Sequence, residues 1–275
     1  MYQLIALDMD GTLLNQKQEI TVDCQKAMNK AIQQGYHVVL STGRSLTELQ
    51  PYMDILKTIR YFILENGAVV YDQYHQKLLY QKTLTSRQID KIHQVYQQQD
   101  IMPHLFINGY SYTTDRVYHM NDYQMGQYQD MFLQHVHMIK DFQLFLQEHQ
   151  NEIEKWGLYH QTSKQREISI GMLKDASLSM TKVEQTSLEI TPQGVNKGEG
   201  LKQLCSYLNI PLNQCIAVGD SDNDLEILAC VGLPIAMKNA NEHVYKIAKA
   251  VVLDHNHDGV KEAIEKYLLG ENHDY

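Results

Sequence analysis

No two cysteines stand at C-x-x-C spacing; Cys24, Cys205, Cys215 and Cys230 are scattered through 275 residues. That scatter excludes a zinc ribbon, a thioredoxin-type motif and a disulfide framework, and it fits buried thiols in a reducing compartment. The chain also lacks surplus positive charge. Lys and Arg number 24 against 33 Asp and Glu, a formal net charge of −9. Sequence-independent nucleic-acid binding, which needs a basic face, is therefore not expected. No apolar run approaches the ~20 residues of a membrane span. No basic segment followed by an apolar stretch opens the chain, so a cleaved signal is not expected. Together these absences point to a soluble cytoplasmic protein.

What is present is ordinary for a globular protein: 43% hydrophobic and 21% charged residues. The length favours two domains. Tyr2–Leu7 reads as a buried strand. Residues 21–34 show helical spacing, with Cys24, Ala27, Met28, Ala31 and Ile32 on one face and Gly35 placed to stop the helix. Tyr36–Leu40 and Tyr61–Leu64 are the next strands, with capping-box spacing at Ser45 and Glu48 between them. This βαβαβ rhythm predicts a parallel sheet covered by helices. From about 84 to 186 Gln, Tyr, His and Met dominate, and an α+β domain is expected. The first rhythm then returns with Leu188–Thr191, a helix from Lys197 capped by Asn196, and the strand Cys215–Val218. A final helix is capped by Asp258. The predicted organisation is a Rossmann-like α/β core, residues 1–83 and 187–275, interrupted by an inserted α+β domain, 84–186.

Four polar clusters follow apolar strands or open helices: Asp8-Met9-Asp10, Ser41-Thr42-Gly43, Asn196-Lys197-Gly198 and Gly219-Asp220-Ser221-Asp222-Asn223-Asp224. In open α/β sheets ligands bind outside the carboxyl ends of the strands, so these clusters are expected to meet. Several carboxylates in one place require a cation. Oxygen ligands suit a hard ion such as Mg2+. Lys197, Thr42 and glycine-flanked backbone N–H groups suit a phosphoryl group. Extended backbone sends residues i and i+2 to the same side. Asp8 and Asp10 are thus expected to point together, one to attack phosphorus and the other to handle protons, with Gly11 turning the chain away. GVNKGEG, residues 194–200, lacks the G-K-[ST] ending of a nucleotide-binding P-loop. The H-x-H pairs at 135–137 and 255–257 have no convincing metal spacing. The tyrosines of the insert (Tyr110, Tyr112, Tyr118, Tyr123, Tyr128) are expected to be packed or half exposed.

DMDGTLL, STGR, NKG and GDSDND, in this order and with a large insert between the second and third, resemble the haloacid dehalogenase superfamily of phosphatases. ENGA at 65–68, AMKNA at 236–240 and DGV at 258–260 resemble its Cof-type branch, which carries an α/β cap. The resemblance covers roughly residues 1–82 and 187–270. It implies Asp8 as nucleophile and Mg2+ ligand. It implies Asp10 as general acid/base, with its carbonyl on the metal. Met9 N–H, Thr42, Gly43, Lys197 and Asn223 are implied in phosphate binding, and Asp220 and Asp224 in holding the metal. Ser221 and Asp222 occupy positions the family leaves variable, and Lys238 stands where many relatives have glycine. Arg44 is a candidate for a substrate group beyond the phosphate. The implied activity is Mg2+-dependent hydrolysis of small phosphorylated metabolites, sugar phosphates or cofactor-like phosphates, beneath a cap. A sugar phosphomutase on the same core and a non-catalytic phosphometabolite-binding regulator stay open as alternatives.

Overall fold

Leu4–Leu7 places four apolar side chains in a row, which leaves the strand no solvent face. In the computed structural model, which describes residues 2–271, it lies inside an eight-stranded sheet. The order is Ala250–Val252, Leu233–Met237, Cys215–Gly219, Leu4–Leu7, His37–Ser41, Tyr61–Leu64, Val69–Asp72, Lys77–Gln81. Pairing is parallel from Ala250–Val252 as far as Tyr61–Leu64. Val69–Asp72 then turns back antiparallel. Neither Val69–Asp72 nor Lys77–Gln81 stands out in the sequence. The latter is a partly exposed edge strand with no clean alternation.

Helix Val22–Gln33 is capped by the Thr21 side chain, which accepts from Cys24 N–H, and it buries Cys24, Ala27, Met28 and Ala31. Asn196 likewise caps Lys197–Leu208, accepting from Glu199 N–H. Asp258 differs from expectation. It has φ +58° and no side-chain cap bond; its carboxylate instead accepts from the Thr21 hydroxyl at 2.6 Å.

Contacts divide the chain into two compact units. One holds the residues up to Gly43, then Pro51–Tyr80 and everything from Asn196; the other holds Arg44–Gln50 and Gln81–Val195. The second unit has a six-stranded sheet in the order Leu178–Val183, Ser187–Pro192, Ile153–His160, Ile101–Ile107, Tyr110–Thr113, His137–Met138. Its ends are tied where Lys82 Nζ donates to the Gln193 carbonyl at 2.8 Å. From its spacing Leu188–Thr191 is expected in the first sheet. It pairs instead antiparallel with Ile153–His160 and Leu178–Val183. Its alternation, with Leu188 and Ile190 inward and Glu189 between them, is that of an antiparallel strand with two unlike faces.

One face of this sheet packs Ile101, Leu105, Trp156, Leu158, Leu188 and Ile190 against helix Ser86–Gln98. On the other face the register sets cross-strand rows: Ser111 beside Phe106 beside Lys155, then His104 beside Gly157 beside Glu189, then Met102 beside Tyr159. The last row is covered by Val117, Met120, Tyr123, Met125 and Phe132. The first two rows are polar apart from Phe106 and Gly157. A register shift next to Phe106 leaves Glu154 as the extra residue of a β-bulge. Of the insert's tyrosines, Tyr123 is buried, while Tyr110 and Tyr118 are exposed.

Candidate active site

The site grows from the carboxyl ends of neighbouring parallel strands. Asp8 follows Leu4–Leu7 directly, its N–H bonded to the Val218 carbonyl at 3.1 Å. Extended backbone stops there. The Met9 carbonyl gathers the N–H groups of Leu13 at 3.0 Å and Leu14 at 2.9 Å, and Gly11 sits at φ +79°. Asp8 and Asp10 thus flank the point where the strand gives way to a turn. Asp8 is 5% exposed, whereas the Asp10 side chain is exposed.

Lys197, at the first turn of its helix, is fully buried. Its ammonium lies 2.5 Å from Asp8 Oδ1 and 2.6 Å from Asp224 Oδ1. A cation at a helix N-terminus is disfavoured by the helix dipole; here two carboxylates hold it. Burial alone would lower the Lys197 pKa, but Asp224 and Asp8 overcome burial and raise it above the usual lysine value. Asp224 uses both oxygens within the protein. Oδ1 takes Lys197, and Oδ2 accepts the N–H of Asp220 at 3.0 Å and of Ser221 at 3.2 Å.

Asp220 follows strand Cys215–Gly219 and accepts from the Thr12 hydroxyl at 3.2 Å. One oxygen each from Asp8, Asp220 and Asp224 lie within 4.8 Å of one another. Burial, and then the charge of Asp224, raise Asp8 well above the usual carboxylate range despite Lys197. The same two causes push Asp220 up to about 6. One ammonium thus leaves the group short of positive charge, and a second cation would correct it. The donors are all carboxylate oxygens, which fits a hard divalent ion. It is the one such cluster among the described residues, and neither H-x-H pair belongs to it. His137 instead stacks on Tyr112 with centroids 5.1 Å apart, and His257 pairs with Asp254 at 2.7 Å.

Thr42 is buried, its N–H bonded to the Ile63 carbonyl at 2.9 Å and its carbonyl accepting from Asn66 N–H at 3.0 Å. The Asn66 side chain lies against Gly43 and accepts from Asn223 Nδ2 at 3.3 Å. Asn66 therefore links two motifs that the sequence shows as separate. Its signal was the ENG turn: Glu65 and Asn66 both have φ near +55°, a left-handed backbone rare outside glycine and common at functional turns. Arg44 groups with the second unit. The loop from AMKNA has a role that spacing does not reveal. Asn239 Nδ2 donates to the Gly11 carbonyl at 2.8 Å, and Asn241 N–H to the Asp220 carbonyl at 2.9 Å. Asp222, left without a role from sequence, accepts from Asn241 Nδ2 at 2.9 Å and pairs with His243 at 2.8 Å.

The model of one protein family, haloacid dehalogenase-like hydrolase, matches residues 5–264. The chain belongs to the haloacid dehalogenase-like hydrolases. Phosphatase YwpJ of Bacillus subtilis is 28% identical over 97% of this chain and 100% of its own. The 5-amino-6-(5-phospho-D-ribitylamino)uracil phosphatase YcsE of the same organism is 27% identical over 97% of this chain and 96% of its own. Among solved structures, a haloacid dehalogenase-like hydrolase from Bacteroides thetaiotaomicron superposes with TM-score 0.84 at 24% identity, covering 97% of this chain and 99% of that one. This haloacid dehalogenase-like hydrolase is a phosphoric monoester hydrolase. Among the described residues no helix is long and apolar enough to cross a membrane.

Proposed function

We propose that the protein is a Mg2+-dependent phosphatase of small phosphorylated metabolites, sugar phosphates or cofactor-like phosphates, working in the cytoplasm through an aspartyl-phosphate. The observation that carries this is Lys197, buried between Asp8 and Asp224 with Asp220 in the same carboxylate group. Asp8 is the nucleophile. Its oxygen attacks phosphorus in line, the bond to the leaving oxygen breaks, and Asp10 supplies that oxygen's proton. Asp10 then takes a proton from water as that water attacks the phosphorus and frees Asp8. Lys197 balances charge on the equatorial oxygens. The N–H of Met9, with Thr42, Gly43 and Asn223, holds the phosphoryl group, Asn66 fixing the last two relative to each other. Asp8, Asp220 and the Asp10 carbonyl would hold Mg2+, with Asp224 supporting it through water; the ion supplies charge stabilisation when bound.

In this reading residues 84–186 form a cap domain that reads the leaving group, and Arg44 serves the same end. The named activities of relatives, on a phosphoribitylamino-uracil and, in Methanobrevibacter smithii, phosphoglycolate, are of the expected small size. The test is phosphate release from a broad panel of phosphorylated metabolites, with Mg2+ and with chelator, using Asp8→Asn as the blank. Release that needs Mg2+ and vanishes in Asp8→Asn supports the reading. Isomerised sugar phosphate without free phosphate would replace it with a mutase, and tight binding without turnover would replace it with a regulator.

A further inference from the structure

On the eight-stranded sheet, Leu4, Ala6, Val39, Tyr61, Ile63 and Ala217 share the face covered by helices Lys197–Leu208 and Leu225–Cys230. Alternation sends Ser41 to that face after Val39, and its partner on the next strand is Ile63. Leu7 pairs with Leu40, so one residue further on Asp8 stands beside Ser41. Lys197 roofs this row. Its helix enters on the Tyr61–Leu64 side: a Cβ at Gly67 would strike the Asn196 carbonyl, and one at Gly200 would strike Ile63. Its ammonium ends on the other side, between Asp8 and Asp224, and Asp224 lies over Gly219. The strands run in the order Cys215–Gly219, Leu4–Leu7, His37–Ser41, Tyr61–Leu64. The Lys197 side chain therefore crosses the strand that ends in Ser41. Ser41 is 1% exposed, and its Oγ has no hydrogen-bond partner. Native interiors leave few such atoms, and each calls for an explanation. Nothing in the resting fold supplies one, since alanine would fill the place without losing a bond.

We propose that Ser41 is a positioning residue for Lys197, accepting the N–H that Asp8 gives up when Asp8 becomes phosphorylated. The proposal rests on the phosphatase reading above. An ammonium has three donors. At rest one goes to Asp8 Oδ1 at 2.5 Å and one to Asp224 Oδ1 at 2.6 Å, which leaves the third for a phosphoryl oxygen. Asp8 then bonds to phosphorus, the bond to the leaving oxygen breaks, and the negative charge departs on the oxygen that Asp10 protonates. Asp8 ceases to be an anion, and a neutral acyl oxygen is a much weaker acceptor for an ammonium than a carboxylate is. Asp224 and the phosphoryl oxygen keep two of the N–H groups. Ser41 Oγ, buried beneath the side chain, takes the third and holds the ammonium against the phosphoryl group. Attack by water restores the Asp8 carboxylate, and the N–H returns to it. The Ser41 bond thus forms only as Asp8 reacts, the kind of interaction that raises kcat and leaves ground-state binding alone.

Ser41→Ala is the decisive variant, because Oγ has no partner to lose in the resting protein. Four quantities are compared with wild type: kcat for p-nitrophenyl phosphate with Mg2+, the Ki of inorganic phosphate, the Kd of beryllofluoride with Mg2+ by calorimetry, and the urea midpoint in chelator. Beryllofluoride bonds to a carboxylate oxygen as a phosphoryl group does, so it reports the phosphorylated state without turnover. In Ser41→Ala kcat should fall about ten-fold and beryllofluoride should bind about ten-fold more weakly, the worth of one hydrogen bond to a charged donor. Inorganic phosphate meets Asp8 still charged, and its Ki should stay within about two-fold of wild type. The urea midpoint should be equal or higher. An unmoved kcat and Kd overturn the assignment. So does a loss shared with phosphate affinity and the urea midpoint, the mark of a merely structural serine. Phosphate release by wild type that Ser41→Ala leaves untouched removes this inference alone. If wild type releases no phosphate, the phosphatase reading falls, and beryllofluoride still decides Ser41: a Kd moved by Ser41→Ala keeps the assignment, and an unmoved Kd or no binding removes it.

Discussion

Asp224 and Asp220 are chemically identical and four residues apart, yet they should respond oppositely to the same substitution. Asp224→Asn must place an NH2 either against the Lys197 ammonium, now 2.6 Å from Oδ1, or against the N–H groups of Asp220 and Ser221 that Oδ2 accepts. Donor then faces donor on one side. The buried ammonium also loses half of its compensation, and breaking a buried pair costs about 3–5 kcal/mol. Asp220→Asn keeps an acceptor for the Thr12 hydroxyl. It also removes a carboxylate that burial and Asp224 already push up to about 6. Its stability without metal should stay level or rise. The assay is urea unfolding of both variants and wild type at pH 7.5 with chelator, then with Mg2+. Asp224→Asn should be about 3–5 kcal/mol less stable in chelator. Asp220→Asn should match or exceed wild type in chelator and lose the Mg2+-dependent gain. Equal destabilisation of the two in chelator would refute the assignment of Asp224 as the brace and Asp220 as the metal-facing acid.

Gly11→Ala forces a side chain into φ +79° and against the Asp220 carboxylate. A loss of about 1–2 kcal/mol is expected, with Mg2+ affinity about ten-fold weaker in a metal-dependent thermal-shift titration. Asp72 is buried and bonded to Arg60 Nη2 at 2.8 Å and His75 Nδ1 at 2.9 Å. Burial alone would raise its pKa, but Arg60 and His75 overcome it and hold the acid below the usual range. Its contribution is therefore present above the unfolded value of about 4 and lost as pH falls below it. Asp72→Asn should cost about 2 kcal/mol at pH 7, with the gap closing in unfolding curves below about pH 4. Glu154 has the opposite sign, since burial pushes it up to about 7. Its contribution is intact below about pH 4 and lost as pH rises through the folded value. Glu154→Gln should thus equal wild type near pH 4 and exceed it by about 2–3 kcal/mol at pH 8, read by thermal unfolding at the two pH values.

The convergence of the polar clusters was legible because each followed a run of apolar residues that could only be a buried parallel strand. Topology then gave those strand ends one meeting place. The same logic does not reach Leu188–Thr191, which belongs to the other sheet. A short alternating strand looks the same from either sheet, and only pairing partners far away in the chain decide between them. Asn66, Asn239 and Asn241 escaped because neutral amides that bond to a loop carbonyl or to another side chain carry no charge pattern in the sequence. The rows on the inserted sheet were invisible until the register was known, since Ser111, Phe106 and Lys155 have no common spacing.

A strand made early in this sequence is among the last to be completed. Leu4–Leu7 finds one neighbour early, in His37–Ser41, but its other edge pairs with Cys215–Gly219, synthesised some two hundred residues later. Until then a buried-type strand presents an open apolar edge, the kind of template that invites mispairing. The second unit, Arg44–Gln50 together with the long stretch Gln81–Val195, can form in that interval, and the Lys82–Gln193 bond pins the ends of the long stretch together. The loop still to be closed is then roughly halved. That gains only about 0.6 kcal/mol of chain entropy but removes a long random search. The interruption that separates Asp8 from Lys197 in the gene thus shortens the physical distance the two halves must bridge to meet.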